Sequence, residues 1–158
     1  MRNEHIEDDI NFFAVINEDL INLELEATTK EEVIESLSEL LFENGAISDK
    51  HSFIEDVYLR ETEGVTGIGQ GIAIPHGKSE SVCHTSIAIG RTKKSIEWET
   101  LDENPVNFII LFAVKNTEAN TKHIKLLQQV AIKLADDEFI ETIQKVSSSE
   151  ELLDLFSK

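Results

Sequence analysis

A histidine flanked by proline and glycine, Pro75-His76-Gly77, closes a stretch holding five of the chain's seven glycines: Gly64, Gly67, Gly69, Gly71 and Gly77. Glycine crowding of this kind lets backbone approach a ligand closely, as nucleotide-binding loops require. Two nucleotide signatures nevertheless fail on register. Gly77-Lys78-Ser79 has the ending of a P-loop, but that motif needs a glycine where Ile72 stands, and Pro75 interrupts it. Gly67, Gly69 and Gly71 run G-x-G-x-G, one residue short of the dinucleotide fingerprint. His76, Cys83, His84 and His123 are all metal-ligating types, yet no two of them stand at a recognised ligand spacing.

What remains is the histidine itself. Pro75 restricts the backbone on one side of it and Gly77 permits close approach on the other, so the imidazole can be held with one edge open to a partner. A neutral ring nitrogen is a nucleophile near pH 7, and a P–N bond is labile enough to pass a phosphoryl group onward. Such a transfer asks for positioning and for cations or N–H groups that meet spreading negative charge.

The elements that must position this histidine read as alternating strands and helices. Leu20 to Leu25 alternates apolar and polar residues and predicts a short strand. Thr28 and Thr29, with Glu31 and Glu32 three residues on, are overlapping capping boxes that open a helix with Val33, Leu37, Leu40 and Leu41 as its stripe, closing at Asn44-Gly45. A second helix opens at Ser48 or Asp49, buries Phe53, Ile54, Val57 and Tyr58 and carries Arg60 in its last turns. Ser86 to Arg91 and Ile96 to Trp98 read as two strands, Leu101 to Pro105 as a turn, and Val106 to Val114 as a central strand buried on both faces. A further helix starts near Asn120 or Thr121 with His123, Leu126, Leu127, Val130, Ala131 and Leu134 along one side. Short helices at about 137–146 and 149–156 close the chain, the latter with Ser148 and Glu151 as its capping box. The pattern predicts an α/β fold, a single-domain sandwich in which a mixed β-sheet is flanked by helices.

At 158 residues, 41% of them hydrophobic and 28% charged, the chain suits one globular domain. Its 14 basic residues stand against 31 acidic ones, so nucleic acid and anionic membrane are disfavoured as partners. No apolar run is long enough for a membrane helix, and the acidic start with Glu4, Glu7, Asp8 and Asp9 is unlike a signal peptide, which makes a cytoplasmic location the expectation. The single cysteine, Cys83, excludes an intramolecular disulfide, and His5, His51 and His84 read as ordinary surface histidines.

Arg60-Glu61 followed by Thr66-Gly67-Ile68-Gly69-Gln70-Gly71-Ile72-Ala73-Ile74-Pro75-His76-Gly77-Lys78 resembles the active-site signature of the fructose/mannitol class of enzyme IIA domains in sugar phosphotransferase systems, the EIIA type-2 family. Leu101-Asp102, Pro105-Val106, the buried strand, and then His123, Leu126, Leu127, Ala131 and Leu134 are similar to its second block. The resemblance spans about Leu20 to Phe156, giving an acidic segment at 1–19 and the domain at 20–158. It implies that His76 is the phosphorylated residue, His123 a second active-site histidine and Arg60 the cation near the phosphoryl group. Thr66, Gly67 and Gly69 would offer N–H groups to phosphate, although turn formation explains them equally well. His123 also fits a core histidine satisfied by the backbone, and Arg60 a surface partner of Asp56, Glu61 or Glu63.

By the same resemblance, the phosphocarrier protein HPr is the phosphoryl donor and an enzyme IIB the acceptor, with a fructose-like sugar at the end of the relay and no metal or nucleotide cofactor. A regulatory, nitrogen-related branch shares the site chemistry without sugar transport. A DNA-binding regulator built on this domain would need a basic region, which the chain lacks.

Overall fold

The computed structural model describes residues 12–118 and 121–157, so the acidic start and Asn120 lie outside the described residues. A short helix α1 (Phe12–Val15) and a 3-10 turn (Glu18–Leu20) lead into β1 (Ile21–Leu25). Helix α2 (Lys30–Glu43) is capped by Thr29, whose hydroxyl accepts from the Glu32 N–H at 3.1 Å, while the Glu32 carboxylate reaches back to the Thr28 N–H at 2.7 Å. Gly45, at φ 77°, ends that helix in the left-handed conformation. Helix α3 (Lys50–Glu61) starts one residue after its Asp49 cap.

The glycine-rich segment makes three short strands, β2 (Gly67–Gly69), β3 (Ile72–Ala73) and β4 (His76–Ser79), and they are followed by β5 (Ser86–Ile96) and β6 (Val106–Lys115). The two strands expected within 86–98 are one: β5 runs unbroken to Ile96, and Trp98 lies beyond it. The polar run that suggested a break is a bulge, since Arg91 pairs with Phe108 and Ile96 with Val106. After β6 come α4 (Lys122–Leu134), α5 (Asp137–Ile143) and α6 (Ser149–Phe156). Along α4, Leu126 and Val130 are fully buried, but Ala131, placed on the stripe by spacing, is exposed.

The sheet is mixed, in the order β1-β5-β6-β3-β2, with β4 pairing to the same edge of β6 as β3. The first and last pairs differ in sense, β1 and β5 being parallel and β2 and β3 antiparallel. Two glycines reveal its layers. A Cβ on Gly77 would sit 2.4 Å from Phe53 of α3, and one on Gly90 would sit 2.9 Å from Leu25 and 3.1 Å from Leu37 of α2. The neighbouring residues point to the opposite face, where His76 meets α4 and Arg91 donates to the Ile143 carbonyl of α5 at 3.1 Å. The α/β sandwich with helices on both faces is therefore what forms. Its core reaches before Leu20, because Val15 and Ile16 are buried with it. Among the described residues no helix is long and apolar enough to cross a membrane.

Candidate functional site

Strand β4 is short and lies at an edge of the sheet, and that edge carries the cavity of interest. Its register with β6 places His76 opposite Phe112. Residues paired in a parallel ladder share a face, and the two rings stack at 4.9 Å with 18° between their planes. His123, in the first turn of α4, meets the His76 ring edge-on at 4.9 Å and 89°. From the other side the last turns of α3 overhang the edge, bringing Arg60. These residues line one cavity of about 390 Å³, together with Asp56, Leu59, Glu63, Lys78 and Val114.

Burial fixes the chemistry of both histidines. It lowers the His76 pKa first of all, the neighbouring His123 and, more weakly, Arg60 act in the same direction, and the Ile74 backbone carbonyl, an acceptor that favours the protonated ring, opposes them. The balance leaves His76 at about 4. The ring is neutral at pH 7 and keeps a lone pair. Its Nδ1 is buried with no hydrogen-bond partner among the described residues. His123 is half-buried and also lowered, by burial and then by the charge of Lys78. Its Nδ1 is likewise buried and unpartnered, so the backbone does not satisfy it as a core histidine would require.

Arg60 donates from Nη1 to the Gly64 carbonyl at 3.1 Å and makes no ion pair among the described residues. The carboxylate beside it in sequence, Glu61, is held by Lys30 at 2.6 Å. Lys78 stands two residues after His76 in the sequence signature, and the structure sets it on the cavity wall. Strand alternation carried the signal, since residues two apart on a strand share a face. Asp56 follows from helical spacing, one turn before Arg60, and Glu63 stands just past the end of α3.

Thr66, Gly67 and Gly69 are not brought to this cavity. The Thr66 hydroxyl accepts from the Trp98 indole at 3.0 Å and donates to Glu61 at 2.7 Å. Gly67 donates its N–H to the Glu99 carbonyl at 3.1 Å, and a Cβ there would lie 2.1 Å from the Thr100 methyl. Gly69, at φ 104°, packs against Asp102. All three face the 98–102 loop, where packing and a tight turn account for them.

Residues 14–158 match the family model described as the phosphoenolpyruvate-dependent sugar phosphotransferase system, EIIA 2. The chain is 34% identical over 153 residues to the 2-O-alpha-mannosyl-D-glycerate-specific EIIABC component of Escherichia coli K12, covering 96% of this chain and 23% of that protein. It is 30% identical over 132 residues to the fructose-like EIIA component of the same strain, covering 84% of this chain and 88% of the relative. Among solved structures, the nitrogen regulatory protein IIA-Ntr of Neisseria meningitidis superposes with a TM-score of 0.84 at 28% identity, over 90% of this chain and 97% of that one. The chain spans less than a quarter of the EIIABC relatives and most of the other two. With nearly its whole length matched, the chain belongs to the EIIA type-2 family of the sugar phosphotransferase system, whose members are phosphoryl carriers.

Proposed function

We propose that this chain carries a phosphoryl group on His76, accepting it from phospho-HPr and giving it to a cognate enzyme IIB in the cytoplasm, for uptake of a fructose-like sugar. The observation that supports this reading best is the convergence of a neutral histidine, a second histidine and an arginine that makes no ion pair among the described residues on one open cavity. Because Nδ1 of His76 is closed off, Nε2 is the nitrogen that attacks. In the forward step a P–N bond forms at Nε2 as the donor's bond to phosphorus breaks. In the return step the Nε2–P bond breaks as the acceptor's nucleophile takes the group, and His76 leaves as the neutral ring it was. Arg60, Lys78 and an N–H of His123 meet the charge spread over the phosphoryl oxygens.

The name of the EIIABC relative, which joins EIIA to B and C components, and the fructose-like name of the 30% relative both favour the sugar branch. The regulatory branch is favoured by one observation, the fit to IIA-Ntr at TM-score 0.84. The experiment that tests the reading is incubation with phosphoenolpyruvate, enzyme I and HPr, followed by transfer from the labelled chain to candidate IIB proteins. Acid-labile, base-stable label on His76 that moves to a IIB supports the sugar reading. Label that no IIB removes leaves the regulatory one, and absence of label overturns both.

A further inference from the structure

The last turn of α3 sends two consecutive charged side chains in different directions. Arg60 lines the His76 cavity, whereas Glu61, about 100° further round the helix, turns toward the start of α2. The Glu61 carboxylate is nearly closed to solvent, at 7% exposure. Lys30 Nζ lies 2.6 Å from its Oε1, and the Thr66 hydroxyl donates to Oε2 at 2.7 Å. Thr66 in turn accepts from the Trp98 indole N–H, and the Lys30 ammonium sits 5.0 Å above the Trp98 ring.

This cluster touches both halves of the site. The carbonyl of Thr66 accepts from the N–H of Ile74 at 2.9 Å, two residues before His76. The contact between Glu61 and Thr66 closes the short loop 62–65, and the loop's Gly64 carbonyl is where the Arg60 guanidinium rests. Lys30 also takes up the charge of Glu61, the carboxylate nearest Arg60 in sequence, leaving the guanidinium without an ion pair among the described residues.

We propose that Glu61, clamped by Lys30, Thr66 and Trp98, is a positioning residue for phosphoryl transfer, holding Arg60 and the His76 strand in register without touching the phosphoryl group. The proposal rests on the carrier reading of His76. Stability alone is a poor reason for the arrangement, because a buried ion pair recovers little more than its desolvation cost and an apolar pair packs as well. A second clamp between the same two helices serves as a control. Lys50 bridges Glu35 at 2.6 Å and Glu39 at 2.7 Å on an exposed surface, at the end of α3 far from Arg60.

The test compares Glu61→Gln, Lys30→Arg, the double variant Lys30→Met/Glu61→Gln and Lys50→Ala in steady-state transfer from phospho-HPr, with unfolding midpoints and Trp98 emission recorded on each. The double variant buries no unpaired charge, so it stays folded where Lys30→Met alone would not. Expected are a kcat at least tenfold lower for Glu61→Gln and for the double variant with KM for the donor within twofold, near-normal turnover for Lys30→Arg, and no change for Lys50→Ala. A folded double variant with wild-type kcat overturns the proposal, as does a kcat loss that merely follows the folded fraction. The Arg60 Nε–H resonance, followed by NMR without any donor, reads the same positioning independently of transfer. It should move in Glu61→Gln and hold still in Lys50→Ala, and an unmoved resonance in Glu61→Gln overturns the proposal. Wild-type chain that takes no label refutes the carrier reading, while the resonance still decides on the positioning.

Discussion

The two halves of the glycine-rich segment have the same look in sequence and opposite uses in the fold. In the first half, Thr66 to Gly71, polar groups are spent internally. Thr66 serves Glu61 and Trp98, Gly67 bonds Glu99 and Leu101, the Gln70 N–H goes to Asp102 at 3.0 Å, and the Gly71 carbonyl accepts from Asn107 and Phe108. In the second half, Pro75 to Lys78, one edge of the strand is paired to β6, while the side chains of His76 and Lys78 reach the cavity and Nδ1 of His76 has no hydrogen-bond partner among the described residues. Glycine density therefore marks where backbones come close. Which half carries chemistry is decided by where the donors end up.

The sharpest way to break this comparison is to substitute one residue in each half. His76→Ala should abolish acid-labile phosphorylation entirely, with a change in stability of about 1 kcal/mol or less, because the lost ring contacts are offset by removal of a buried unpaired nitrogen. Radiolabel surviving in that variant would show that phosphate resides elsewhere. Gly67→Ala should do the converse. Its Cβ would meet the Thr100 methyl at 2.1 Å and the Glu99 carbonyl at 2.7 Å, for a cost of about 3 kcal/mol in denaturant unfolding, while the folded fraction transfers normally. Normal stability with slow transfer would instead return the first half to the site.

Smaller effects sharpen the second half. Arg60→Ala should leave the fold intact and slow transfer about a hundredfold, as loss of one donor to developing charge typically does. Equal rates in single-turnover experiments would reduce Arg60 to a surface residue. For His123→Ala the expectation is about tenfold slower transfer with little loss of stability, since its buried Nδ1 has no bond to lose among the described residues. A fall in stability with normal transfer would make it a core residue after all.

The least change is expected with pH. With its pKa near 4, His76 stays neutral from pH 8 down to about 5, so its phosphorylation rate should be flat across that range, where an ordinary histidine at 6.5 would lose half its nucleophile by pH 6.5. The sign for stability follows. Below 6.5 the unfolded chain binds the proton first, so stability is lost as pH falls from about 6.5 toward 4 and is indifferent to this group above that window. A rate that halves near pH 6.5 would mean that the ring is far more open than the structure has it.

Local chemistry was legible from the sequence wherever it is carried by neighbouring residues. The Thr29–Glu32 and Ser148–Glu151 caps, the Asn44-Gly45 stop, the apolar run of β6 and the close backbone approach at Gly77 each depend on a few positions, and each took the form expected. Less visible was the polar stretch after Arg91, where a bulge let one strand continue through residues that read as a break. The family signature pointed to His76, Arg60 and His123 as a set, but their meeting in one cavity depends on a strand register that brings His76 onto Phe112 and on two helices approaching from opposite faces. Lys78 joined them for the same reason, and Thr66, Gly67 and Gly69 turned away because Trp98 and the 98–102 loop claim their side of the backbone. Composition and spacing act along the chain and determine its elements and its candidate nucleophile. Which neighbours that nucleophile has is a long-range property, decided only when the sheet closes and buried donors must find partners across it.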